Sequence, residues 1–176
     1  MSEQKKIGVS FDLKPHAYDP AANPELFEGV PARRVIAFLI DLIVISVPIV
    51  FLAMFIFALG VVTLGLGFFL YGLVPAISTV WAVVYYGLTL GSARSATIGM
   101  RVMDLEMRTW YGAPAYFVLG AVHAIVFWLS MSFTPLVLLV CFFNERRRLL
   151  HDMLIGTVII NNEVRASALR ASRPRV

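Results

Sequence analysis

Three charged residues stand where charge is expensive: Arg34 and Asp41 at the start of the most apolar stretch, and Asp152, flanked by His151 and preceded by Arg148, near the end. Asp41 is the only charge between Val35 and Leu90. An ionised carboxylate in hydrocarbon costs at least about 2.5 kcal/mol even on lenient scales, so Asp41 demands compensation. On a helix, Arg34 and Asp41 differ by about 20° in direction and about 10 Å in height, a shared face but too long a gap for a direct ion pair. The main partner of Asp41 is therefore expected on another segment, and Arg34, Asp41 and Asp152 are expected to meet in one buried polar cluster. Two chemistries fit such a cluster. Its carboxylates could bind and release a proton or small cation, as intramembrane carboxylates do in transporters. Alternatively, Arg34 or Arg148 holds both carboxylates and fixes the first helix against the carboxy-terminal element.

Other chemistries find less support. His123 lies alone in an apolar segment, with no histidine or cysteine at ligand spacing beside it, so it reads as a packing residue and no metal is expected. Serine, histidine and aspartate are present without a nucleophile motif, and the adjacent side chains of His151 and Asp152 point in different directions on a helix, so no catalytic residue and no cofactor are assigned. The arginines track the edges of apolar segments rather than forming a basic stripe, which argues against nucleic acid. The single cysteine, Cys141, excludes an internal disulfide.

The elements that must position these residues are helices. Residues 35–90 suffice for two membrane spans joined by a glycine-rich turn at 60–67, with Pro31 at the first helical position and Pro48 and Pro75 tolerated inside. Tyr85 and Tyr86 suit a membrane interface. From Met103 to Arg108 polar and apolar residues alternate with period two, which predicts a short extended segment whose charges Asp104, Glu106 and Arg108 are solvated. Residues 115–143 are apolar apart from a Ser/Thr/Pro break at 130–135, after which Leu149, Leu150 and Leu154 predict a short amphipathic turn and Val158–Ile160 an extended exit.

With 59% hydrophobic and 15% charged residues and a mean hydropathy of +0.80, the chain departs from soluble domains, which are about a quarter charged. The expected fold is an all-α integral membrane protein of two transmembrane helices plus a re-entrant or short helical hairpin over 115–143, the alternative being three or four transmembrane helices. The hairpin follows from charge. A single crossing would leave seven arginines after residue 143 on the wrong side, whereas a hairpin keeps every arginine cytoplasmic. Residues 1–30, acidic, proline-spaced and without the apolar core of a secretory signal, are expected to be a mobile cytoplasmic tail; 31–162 form the membrane domain and 163–176 a basic cytoplasmic tail. The partners expected are the lipid bilayer, anionic headgroups at the arginine-rich flanks, and a second copy or another membrane protein.

The pattern of Arg34, Ala37 and Asp41, then Ala96-Thr97-Ile98-Gly99 with Arg101-Val102, then Arg148, His151-Asp152 and Gly156-Thr157-Val158, resembles the RDD family of small bacterial membrane proteins over residues 29–161. That family is named for one arginine and two aspartates, matched here by Arg34, Asp41 and Asp152. One departure is Gly99-Met100, where the family usually has glycine followed by lysine, and it argues against an anion or headgroup role for this loop. The resemblance implies a multi-pass protein of a bacterial plasma membrane (the inner one in a Gram-negative cell), of unestablished activity with a suspected role in transport; Arg33 and Arg34 at the start of the first helix put its amino terminus in the cytoplasm. The candidate binding residues are Arg34, Asp41 and Asp152, supported by Arg148, His151, Thr97 and Gly99. A proton, small cation or small solute is the expected cargo; the alternative is a non-catalytic scaffold or assembly factor for a partner membrane protein.

Overall fold

The computed structural model describes residues 17–133 and 148–173. A long helix α1 (Val30–Val62) opens with Pro31 in its first turn, where the missing amide hydrogen costs nothing, and carries Pro48 inside. It ends where Thr63 donates its hydroxyl to Leu59 O and accepts Gly67 N. The reversal is tight because Gly67 lies against Gly60: a Cβ on Gly67 would sit 2.6 Å from the Gly60 nitrogen. A 3-10 segment (Leu66–Leu73) leads into α2 (Val74–Leu90).

The stretches Pro24–Val62 and Leu66–Leu90 are both long and apolar enough to cross a bilayer, and only 11% and 6% of their apolar windows are buried within the protein. Phe51, Phe55 and Phe69 point outward at 68%, 65% and 82% exposure. A soluble monomer does not present apolar surface on that scale, whereas lipid covers it without cost.

Beyond α2, a short helix α3 (Ile98–Val102) precedes strand β1 (Leu105–Thr109), and α4 (Phe117–Phe133) runs back along α2. Small residues permit that approach: a Cβ on Gly91 would meet the Phe117 nitrogen at 2.6 Å, and one on Gly120 would meet Tyr86 O at 2.8 Å. Helix α4 is continuous through Ser130, so the expected break there is absent up to Phe133; Thr134, Pro135, Cys141 and the proposed turn lie outside the described residues.

After residue 148 come α5 (Leu150–Ile155), β2 (Thr157–Asn161) and α6 (Glu163–Ser172). The expected all-α fold is corrected by one antiparallel sheet in which Leu105 faces Asn161 and Thr109 faces Thr157. Its two strands are the segments whose sequence read as extended. Parts of both expected tails are also ordered. Residues 17–29, expected to be mobile, are packed: Asn161 donates to the carbonyls of Glu25 (2.8 Å) and Glu28 (2.9 Å), and Ala17 N donates to Trp110 O at 3.1 Å. The basic tail is helical from Glu163, where the Asn162 side chain caps Arg165 N, and Arg173 reaches Glu25 and Glu28. Residues 1–16 are outside the described region.

Candidate functional site

Asp41 lies on the buried stripe of α1, 3% exposed, and its carboxylate is satisfied by uncharged donors. Tyr85 Oη donates to Oδ1 at 2.5 Å, Thr97 Oγ1 to Oδ2 at 2.6 Å, and the Gly99 amide to Oδ1 at 2.8 Å. Each donor is itself positioned. Thr97 is the extended N-cap of α3, where its hydroxyl oxygen also accepts Met100 N. Tyr85 Oη in turn accepts Ile98 N at 3.2 Å. Gly99 is required by proximity: a Cβ there would sit 2.0 Å from Ala37 O, far inside contact distance. Thr97 and Gly99 thus hold Asp41 rather than a free anion. Arg101 likewise braces this loop, donating to Ala96 O (3.0 Å) and Ser92 Oγ (2.9 Å).

Arg34 pairs with Asp152, not with Asp41, its Nη1 lying 2.5 Å from Asp152 Oδ2. The same oxygen accepts Leu149 N at 2.9 Å, so Asp152 also caps α5. Burial, the largest single influence, pushes the Asp152 carboxyl up; the groups around it, the Arg34 guanidinium first and then His151 and His123, together outweigh burial and hold the group well below the usual carboxylate range. Arg148 is a strut: it donates to Thr157 O and Asp152 O, both at 2.8 Å, and lies over the Trp110 ring at 4.6 Å. It thereby ties the Asp152 carbonyl of α5 to the Thr157 carbonyl at the start of the following strand, across Gly156, which ends α5 in the left-handed region at φ 74°.

The expected single cluster is therefore two adjacent ones. Arg34 and Asp41 both face one cavity of about 350 Å³, along with Thr97, His123 and His151. The walls between them are apolar, including Phe38, Leu39 and Phe127.

Two features escaped the sequence reading. Tyr85 and Tyr86, placed there at an interface, are buried at 5% and 8% exposure, and Tyr85 is the shortest-range partner of Asp41. The signal was available, because Asp41 and Tyr85 are each 22 residues from Thr63 and so stand level in an antiparallel helix pair. His123, isolated in sequence, stacks edge-on with His151 at 5.0 Å between ring centres, and Phe127 packs against His151 at 5.2 Å. Burial pushes the His151 imidazole down to about 4, so it is neutral at pH 7.

No curated protein and no solved structure matches this chain. The profile of the RDD family, a family of membrane proteins, matches residues 29–156, which include Arg34, Asp41, Thr97, Gly99, Arg148 and Asp152. With the match covering most of the sequence and taking in both aspartate sites, the chain belongs to the RDD family.

Proposed function

We propose that this protein moves a small solute or cation across a bacterial plasma membrane, binding it in the cavity between α1 and α4. The observation that carries this reading is the cavity itself. It combines a charged and hydrogen-bonding lining, from Arg34, Asp41, Thr97, His123 and His151, with apolar walls, at the base of helices able to cross a bilayer. Two long spans with a short third helix enclose little volume, so the transporting unit is a homo-oligomer or includes a membrane-protein partner. The orientation puts the amino-terminal lead-in, the region 91–115 and the carboxy-terminal elements in the cytoplasm. Supporting this, β1 pairs with β2, α6 packs on residues 25–28, and every described arginine lies in or beside these elements.

The test is flux in proteoliposomes under proton, sodium, potassium and small-solute gradients, comparing wild type with Leu39→Trp. Leu39 lines the cavity but is 51% exposed, so the larger ring obstructs the site without entering the core. Flux in wild type that falls in Leu39→Trp at unchanged thermal stability supports the reading. Absence of wild-type flux under all gradients removes it.

A second reading, a non-catalytic scaffold for a partner, draws on the fixed pairing of the charges. Asp41 has three donors and Asp152 Oδ2 has two, which suits an architectural role for both aspartates.

A further inference from the structure

Three buried side chains aim unpartnered polar atoms at one another where α4 meets α5. His123 Nδ1, His151 Nε2 and Asp152 Oδ1 have no hydrogen-bond partner among the described residues. Their side chains are 9%, 1% and 0% exposed. Unsatisfied buried polar atoms are rare because each forfeits its hydration, and three converging on one point are an arrangement to be explained. Phe127 and the edge-on packing of the two imidazoles hold the rings in place.

We propose that His123, His151 and Asp152 form a binding site for one divalent d-block cation of the zinc class. All three candidate ligand atoms lie within 4.8 Å of one another. His151 Nε2 is 3.4 Å and His123 Nδ1 is 3.8 Å from Asp152 Oδ1, beyond a well-formed N–H···O bond. Around a tetrahedral ion with bonds of about 2.0–2.1 Å the ligand–ligand edge is about 3.3–3.4 Å. Of the three edges, His151–Asp152 is already in place, His123–Asp152 needs a closure of a few tenths of an ångström, and His123–His151, within 4.8 Å, closes by rotation of the two rings. An octahedral ion with bonds of that length would need adjacent edges of about 2.9 Å, a larger contraction. Two imidazoles and one carboxylate are a borderline-soft set, suited to zinc over magnesium or calcium, and leave a fourth position for water or another ligand.

The surrounding bonds complete the site. Asp152 uses Oδ2 for Arg34 and Leu149 N, which orients Oδ1 toward the imidazoles, as outer partners of metal ligands do. Because Arg34 already balances the Asp152 charge, a bound dication leaves the site positive, as in zinc centres with three neutral histidines. The fourth position therefore favours hydroxide or an anionic group. His123 and His151 also line the 350 Å³ cavity, which offers an entry path. The site stands whether or not the protein carries flux.

The test uses the full chain, free of any histidine tag, in detergent and washed with chelator. After equilibration with zinc and desalting, elemental analysis should find one zinc per chain. Cobalt should give the intense visible bands of a four-coordinate ion. His151→Phe and His123→Phe, which keep a ring in the packing, should each weaken zinc binding by more than about tenfold. Zinc should raise the melting temperature of wild type and not of the variants. A wild type that retains well under one zinc per chain and shows no cobalt bands, the result if water fills the site, overturns the proposal. So does zinc binding unchanged in both folded variants. The cobalt spectrum is read on wild type, so a variant that fails to fold leaves the test intact.

Discussion

Arg34 and Asp152 meet at 2.5 Å although they stand 118 residues apart in the chain. Their pairing clamps the entry of α1 to the N-terminus of α5. It also leaves Asp41, seven residues further along the same helix, to be held by a tyrosine, a threonine and a backbone amide. The two aspartates are therefore not interchangeable halves of one ion-binding pair. Asp152 is a charge-paired capping residue, and Asp41 is a hydrogen-bond acceptor docked on the turn that begins α3.

Removing either member of the Arg34–Asp152 pair should be costly. Asp152→Asn or Arg34→Met leaves its partner buried and unbalanced, a loss of about 3–5 kcal/mol. The double variant should lose less than the sum of the singles, by about 0.5–3 kcal/mol, because the orphaned charge is gone. Denaturation of all four proteins in detergent with chelator present, so that no metal contributes, checks this; strict additivity would contradict the pairing.

Asp41 should respond differently. In Asp41→Asn the amide oxygen can still accept from Tyr85 and Gly99, while the amide NH₂ can donate to Thr97 Oγ1, so much of the geometry survives. Asp41→Ala instead leaves three buried donors without an acceptor, at about 1–3 kcal/mol each. The expected order of stability is wild type, then Asp41→Asn, then Asp41→Ala, with Asp41→Asn less damaging than Asp152→Asn. Thermal unfolding gives the ranking directly, and an Asp41→Asn as damaging as Asp41→Ala would show that the charge itself is what α3 requires.

Gly99→Ala should prevent folding or displace α3, because its Cβ would lie 2.0 Å from Ala37 O and 3.0 Å from the Asp41 carboxyl carbon. Neither the helix backbone nor the carboxylate can yield that distance without losing the Gly99–Asp41 bond. Gly72→Ala is the control, since nothing lies within 4 Å of its Cβ position. Folded yield after detergent size-exclusion should collapse for the first and stay near wild type for the second.

What the sequence disclosed follows from what is local. Hydropathy located α1 and α2, period-two alternation located β1, and Pro31 marked the start of α1, because each is a property of neighbouring residues. The need of Asp41 for a partner on another segment was equally legible, since the cost of burying a charge does not depend on the fold. Which partner was not. A long arginine on the same helix face suggested a shared cluster, but Arg34 had a closer carboxylate in Asp152. Tyr85 and Tyr86 carried the composition of an interface residue and are core because α3 and α4 fold over them. Long-range adjacency of His123 and His151 depends on how the chain returns after α4, and periodicity carries no information about that.

The sheet turns the orientation of the chain into a sharp prediction. Residues 105–109 and 157–161 pair strand to strand, so a chain that crossed a bilayer once between them would have to break the sheet or carry its polar backbone through hydrocarbon. Both segments are therefore expected on one side, and the proposed orientation, drawn from the arginines in and around them, makes that side the cytoplasmic one. In a chain with Cys141 replaced by serine, single cysteines at Tyr111 (63% exposed), Val164 (72%) and Leu64 (97%) sample the two ends without touching the core. In intact cells whose outer barrier has been opened, a membrane-impermeant maleimide should label the cysteine at 64. Those at 111 and 164 should react only after the bilayer is permeabilised. Labelling at 164 but not at 111 before permeabilisation would place β1 and β2 on opposite faces and is incompatible with this fold. Labelling at 111 and 164 together, with 64 protected, would keep the fold and invert its orientation against the arginine distribution.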